Sequence, residues 1–272
     1  MYQQPDMTGF MPPVGQPVIQ MQPVYGEYNP HIPPGLEYLT MLDRLFIKQK
    51  VELLEAFVGF ETNNKYTVKA GTGEKLFYAV EDTNCCTRNC CGPGRPFDMR
   101  IYDLNQREVI RLDRPLRCDS CFCPCCLMTM TVSTPPGTVV GFVQQNWSIC
   151  KPSFSIQDAS GETVLLIDGP CCTCSLCGSV EFKVTSRDGE VEVGKISKEW
   201  SGLAREFFTD TDNFGISFPM DLDVKMKAVM LGACFLIDYM FFETNDEGAI
   251  CKCQDYCDTS SSIVKCFNSV TD

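Results

Sequence analysis

Histidine is almost missing from this sequence: the 272 residues hold one, His31, and it lies in a proline-rich stretch. Imidazole is the common general base and a common zinc ligand near neutral pH. Its scarcity excludes Ser-His-Asp triads and His-ligated zinc hydrolases. Basic charge is also scarce. Against 35 acidic side chains stand 23 basic ones, a net charge of −12 and the wrong sign for a bulk nucleic-acid binder. No Gly-rich phosphate loop, nucleophile elbow or paired-carboxylate constellation is present, so conventional enzyme chemistry is not expected. The opening Met-Tyr-Gln-Gln-Pro-Asp lacks the basic-then-apolar pattern of a secretory signal.

Cysteine, by contrast, is abundant, with 19 residues. An odd count without an export signal argues against a disulfide framework, and adjacent pairs suggest metal ligation or S-acylation instead. The densest run is Cys118-Asp-Ser-Cys121-Phe-Cys123-Pro-Cys125-Cys126. Thiolates at this spacing could form half of a zinc site. Alternatively, an exposed cysteine-rich turn can carry acyl chains, two or more of which anchor a protein stably. Cys85, Cys86, Cys90 and Cys91 form a second cluster. Cys171, Cys172, Cys174 and Cys177 form a third, and Cys171, Cys174 and Cys177 have the cleaner zinc spacing.

Hydrophobic residues at 44% and charged residues at 21% indicate a globular chain with one large core. Residues 1–34 interleave proline with Gln, Met and Tyr and show no apolar periodicity. They read as a disordered tail of polyproline-II character, able to offer ligands to SH3- or WW-type modules. From Gly35, the spacing of Leu36, Leu39, Leu42, Phe46 and Ile47 predicts a short helix. Hairpins follow: Tyr66–Val68 with Leu76–Val80, then Met99–Tyr102 with Val109–Leu112. Further strands are predicted over Leu127–Ser133, Thr138–Gln144, Phe154–Gln157 and Thr163–Ile167. Val180–Thr185 and Glu190–Ile196 flank an Arg187-Asp188-Gly189 turn. Short strands at such regular spacing imply one antiparallel sheet or closed barrel.

Near the end the texture changes to DVKMKAVMLGACFLIDYMFFE, Asp223 to Glu243. The apolar stretch from Ala228 to Phe242 spans roughly 22 Å as a helix, short of the ~30 Å hydrocarbon core. Asp238 makes insertion costlier still. Two readings follow: a single-pass anchor, or a helix apolar all round because a barrel encloses it. The length favours the second. Residues 244–272 form a cysteine-containing extension.

Between the last hairpin and this helix lies Asp210-Thr-Asp212-Asn-Phe214-Gly215-Ile216-Ser-Phe218-Pro-Met-Asp221. Read as a twelve-residue calcium loop, it has acids at positions 1, 3 and 12 and glycine at 6. Phe218 at position 9 and the short Asp221 at 12 weaken the pattern, and a plain polar turn is the competing reading. Gly194-Lys-Ile-Ser-Lys198 is too poor in basic residues for a nuclear signal.

Pro34-Gly-Leu-Glu-Tyr38, Arg114-Pro-Leu-Arg-Cys118, Pro135-Pro-Gly137, Gly194-Lys-Ile-Ser-Lys198, Asp212-Asn-Phe-Gly215 and the terminal apolar helix together resemble the phospholipid scramblase family over residues 33–243. The resemblance implies a tubby-like fold: all-β with one helix, a twelve-stranded antiparallel closed barrel around a C-terminal hydrophobic helix, here about residues 224–242. It implies a scramblase domain over 35–243 and calcium-activated, ATP-independent movement of phospholipids between leaflets in both directions. Ca2+ would be held at Asp210, Asp212, Phe214, Ile216 and Asp221, with Phe214 and Ile216 giving only backbone carbonyls. S-acylation would fall on Cys121, Cys123, Cys125 and Cys126, with Phe122 where the family has a further cysteine. The family's importin-binding stretch would fall on Gly194–Leu203, where Glu199 argues against a nuclear pool. Expected partners are membrane phospholipids and a second copy of the chain. The expected location is the cytoplasmic face of a membrane, the plasma membrane first. The rival function is an acylated, membrane-tethered adaptor with little lipid transport of its own.

Overall fold

The computed structural model describes residues 32–50, 64–82, 95–117, 127–148, 151–171, 180–199 and 213–242. Twelve antiparallel strands run in sequence order around one closed barrel. They are β1 Arg44–Lys50, β2 Lys65–Ala70, β3 Lys75–Asp82, β4 Phe97–Asp103, β5 Glu108–Arg114 and β6 Thr129–Thr134. The circuit continues with β7 Thr138–Asn146, β8 Ser153–Asp158, β9 Thr163–Asp168, β10 Val180–Ser186, β11 Glu192–Glu199 and β12 Asn213–Ser217. β12 pairs back onto β1, with Ile216 opposite Leu45 and Phe214 opposite Ile47, and so leaves no exposed edge. The strands form because their apolar residues alternate. In β4, Phe97, Met99 and Ile101 are buried, while Asp98, Arg100 and Tyr102 between them are not.

Each hairpin at one end of the barrel uses the same device. A residue of positive φ closes the turn (Gly73, Gln106, Gly137, Gly161, Gly189), and a register shift accompanies it in the adjoining ladder. In the β2–β3, β4–β5 and β8–β9 hairpins, closed from the N–H of residue i to the carbonyl of i+4, this is the three-residue turn with a bulge, whose left-handed position suits glycine; the β10–β11 turn is one residue longer, with Ser186 N–H donating to Val191 O. In the β8–β9 hairpin, Gly161 N–H donates to Asp158 O at 3.0 Å. The Asp158 carboxylate accepts the N–H groups of Ser160 and Glu162 at 2.9 and 3.0 Å.

Helix α1, Val224–Phe241, fills the barrel, and every residue from Met226 to Met240 is buried. Asp223 caps it, accepting the N–H of Lys225 at 2.8 Å and of Met226 at 3.4 Å. Close approach to the wall needs small residues. A Cβ on Gly141 of β7 would stand 2.3 Å from Gln157 O and 2.7 Å from the Val229 side chain. The enclosed-helix reading therefore holds, and the single-pass alternative is corrected: α1 is apolar all round because the wall surrounds it. No helix among the described residues is long and apolar enough to cross a membrane.

The predicted helix from Gly35 is shorter than expected. Glu37–Met41 form one 3-10 turn, and Phe46 and Ile47 belong to β1. Leu45 and Ile47 point inward with the period of a strand. β12 was not predicted either, since its residues were read as part of a loop.

Candidate functional site

Strict up-and-down order sorts the connections by end. The tight turns 71–74, 104–107, 135–137, 159–162 and 187–191 lie at one end, the turn end, where the β12–α1 connection also lies. The connections β1–β2, β3–β4, β5–β6, β7–β8, β9–β10 and β11–β12 all leave from the opposite end, the loop end. α1 starts at the turn end and finishes at the loop end. All cysteines except Cys234 fall in connections joined to the loop end or in the chain that follows α1. Cys121, Cys123, Cys125 and Cys126 belong to the β5–β6 connection and lie outside the described residues, as do Cys174 and Cys177. Cys171 is described and exposed. Trp147 and Leu116, at the same end, are 54% and 59% exposed. Cys234 is sealed inside the barrel; burial pushes its thiol well above the usual range, and the nearby Asp238 adds to this. That thiol is neither a nucleophile nor an acylation site.

A buried polar plug closes the barrel mouth at the loop end. Arg95 and Glu81 form an ion pair at 3.0 Å, with side-chain exposures of 2% and 0%. Tyr239 of α1 donates its hydroxyl proton to Glu81 at 2.9 Å, and Asn64 donates to the same carboxylate at 3.0 Å. Tyr66 donates to Asp238 at 3.1 Å. The Phe97 ring stacks on Tyr239, centroids 4.5 Å apart, and the Arg114 guanidinium covers Phe97 at 4.4 Å. Lys198 lies 4.3 Å over the Phe242 ring. Charges this deep persist only when paired and hydrogen-bonded. The plug also explains Asp238, which faces a tyrosine inside the wall and not lipid. Sequence reading flagged Asp238 as costly but missed Glu81, Arg95, Arg114 and Tyr239, whose partners lie far away along the chain.

The segment expected to hold calcium is drawn out along a strand. Phe214 and Ile216 sit in β12 with buried side chains. Both edges of β12 are paired, to β1 and to β11, which commits its carbonyls to the two ladders. Asp221 lies beyond the strand, exposed, in the turn before α1. Asp210 and Asp212 precede the strand and lie outside the described residues. Of the described members, then, Asp221 alone presents a solvent-facing carboxylate. Among the described residues no cluster of three or more His, Cys, Asp and Glu is placed to hold a metal.

Comparison with known proteins identifies relatives of this chain. The family model named Scramblase matches residues 22–244. Phospholipid scramblase 2 of Bos taurus is 58% identical over 245 residues, covering 85% of this chain and 83% of that protein. Phospholipid scramblase 1 of Homo sapiens is 60% identical over 212 residues, covering 78% of this chain and 67% of that protein. Phospholipid scramblase family member 5 of Homo sapiens is 50% identical over 212 residues, 78% of each chain. No solved structure matches significantly. A family match across most of the chain and relatives this similar leave one conclusion: the chain belongs to the phospholipid scramblase family.

Proposed function

We propose that this protein moves phospholipids between bilayer leaflets, in both directions and without ATP, when calcium is present. Family membership carries the reading: the relatives that match are named for phospholipid scrambling. A headgroup crosses hydrocarbon slowly because its charges lose hydration. A filled barrel offers no lumen, so the route would follow the outside of the protein, where a surface-bound barrel perturbs the leaflet. Attachment would come from acyl chains on Cys121, Cys123, Cys125 and Cys126, carried by the loop end. Calcium would supply positive charge between Asp210, Asp212 and Asp221 and lipid phosphates. Cys171, Cys174 and Cys177 are the candidate zinc ligands. The proline-rich residues 1–34 would recruit SH3- or WW-type partners, and self-association would widen the perturbed lipid zone.

A second reading, a membrane-tethered adaptor, draws on the enclosed helix, which leaves no internal lipid path. Reconstitution separates the two. With fluorescent lipid in both leaflets and dithionite outside, millimolar calcium should remove the protected half of the signal. Asp210→Ala with Asp221→Ala should abolish that loss while the protein stays bound to the vesicles. An unchanged protected half with correctly inserted protein would sink lipid movement and leave the adaptor.

A further inference from the structure

The large apolar side chains left exposed among the described residues divide by end: Met41, Leu104, Val191 and Met220 at the turn end, Leu116 and Trp147 at the loop end. Scattered singly, such residues are ordinary on a protein surface. Their sequence neighbours differ, however. Each one at the turn end has an acid within two positions: Asp43 for Met41, Asp103 for Leu104, Glu190 and Glu192 for Val191, and Asp221 for Met220. Leu116 and Trp147 have none. Leu116 follows β5 and Trp147 follows β7, so only β6 separates their strands, a gap of ~10 Å in the wall. Neither side chain takes part in the apolar core. Trp147 nonetheless projects from a fixed mount. Beside it, Asn146 donates to Ser153 Oγ at 3.3 Å and accepts from Ser155 Oγ at 2.8 Å. The Gln145 N–H donates to Met128 O, and the Gln145 side-chain oxygen accepts the Met128 N–H, both at 2.8 Å. A bulky indole held in solvent on so rigid a strand end contributes nothing to the folding of the barrel itself.

We propose that Leu116 and Trp147 are interfacial anchors, which place the loop end of the barrel in the headgroup–acyl boundary of a phospholipid bilayer. An indole joins a broad apolar ring to one N–H donor, and tryptophan concentrates at membrane–water boundaries for that reason. Leucine beside it supplies purely apolar area to the acyl side. The choice of end follows from charge: an anionic leaflet repels the acids that border every exposed apolar residue of the turn end. Position agrees with charge. Leu116 lies on the β5–β6 connection, the same one that carries Cys121, Cys123, Cys125 and Cys126, and Trp147 lies on the β7–β8 connection with Cys150. Acyl chains on the first of these would hold the bilayer against both side chains. This inference rests on the membrane attachment in the reading above but not on lipid movement.

The chain has two tryptophans, so Trp200→Phe leaves Trp147 as its one indole reporter. The full chain with that change is bound to vesicles of phosphatidylcholine and phosphatidylserine, with or without bromine on the acyl chains. Trp147 emission should move to the blue on binding, escape acrylamide and be quenched by the brominated lipid. Vesicle-bound protein whose Trp147 emits and meets acrylamide as in free solution would overturn the proposal. Hydroxylamine, which strips thioester-linked acyl chains, then isolates the affinity of the two side chains themselves. In vesicle sedimentation of the stripped protein, Trp147→Ala should weaken binding roughly tenfold, since about half an indole no longer leaves water. Leu116→Ala should weaken it further. Thermal midpoints should match wild type, because neither side chain packs in the core. Stripped wild type that fails to bind, or binds no better than Trp147→Ala, would also overturn the proposal. A blue shift without vesicles that grows with protein concentration would reassign this surface to a second copy of the chain. Loss of lipid scrambling with Trp147 still buried in the bilayer would count against the function above and leave this surface standing.

Discussion

Lys227 shows how one residue locks two parts of the chain together. It is fully buried on α1, yet its ammonium donates to Leu39 O at 2.9 Å, Leu42 O at 2.8 Å and Met220 O at 2.7 Å. The Phe218 ring lies 5.1 Å from the nitrogen. Three carbonyls from two segments thus share one cation, which explains why a lysine is tolerated in a helix with no solvent face. Lys227→Met keeps the volume but leaves those carbonyls without their donor. Unfolding free energy should fall by about 3 kcal/mol, read from the denaturant midpoint at unchanged slope. In the sequence Lys227 resembles an interfacial lysine flanking an apolar span; only its partners show the opposite role.

At the scale of elements, the hairpin turns are held by carboxylates that must stay ionised. Hydrogen bonds from the Ser160 hydroxyl first, then from the turn's N–H groups, hold Asp158 below the usual carboxylate range. Ser186 and the Glu190 N–H do the same for Asp188. A carboxyl whose pKa is lower folded than unfolded contributes stability above its unfolded value near 4 and loses it as pH falls through the folded value. Stability should therefore be flat above about pH 5 and decline below about pH 4. Asp158→Asn with Asp188→Asn should flatten that decline, checked by urea midpoints at successive pH values. The hairpins over 65–82, 97–114 and 180–199 were legible because alternation and turn residues coincide there, glycines in the first and third and the polar Asp103–Gln106 run in the second. β1 was not, because Leu36, Leu39, Leu42, Phe46 and Ile47 mimic helical spacing across a 3-10 turn and a strand. β12 was hidden because acids and a glycine at calcium-like intervals surround a strand of ordinary apolar residues.

For the whole molecule, the decisive feature is the helix inside the barrel. An anchor helix can be removed and leave a folded domain, whereas a core helix cannot. Ending the chain at Leu222 should abolish cooperative thermal unfolding and give an expanded species on size exclusion. A compact truncated protein with a sharp transition would contradict the enclosed-helix architecture. The same topology makes the molecule two-ended, with the cysteine-bearing connections joined to one end and the tight turns at the other. Charge is unevenly spread along the strand sequences as well: β1 and β2 carry only basic residues, β8 and β9 only an aspartate each, and β3, β4, β5, β10 and β11 mix both signs.

The sequence by itself determined the family, the β-hairpin texture, the clustering of cysteines and the presence of one apolar helix too short to span. These are local properties, carried by period, spacing and composition. Only the tertiary structure decided that the helix is a core and not an anchor, because that depends on what surrounds it. It alone matched Asp238 with Tyr66 and Glu81 with Arg95, and set Lys69 across from Lys75. Those pairings come from barrel closure and strand register, which bring together residues that the linear sequence keeps apart.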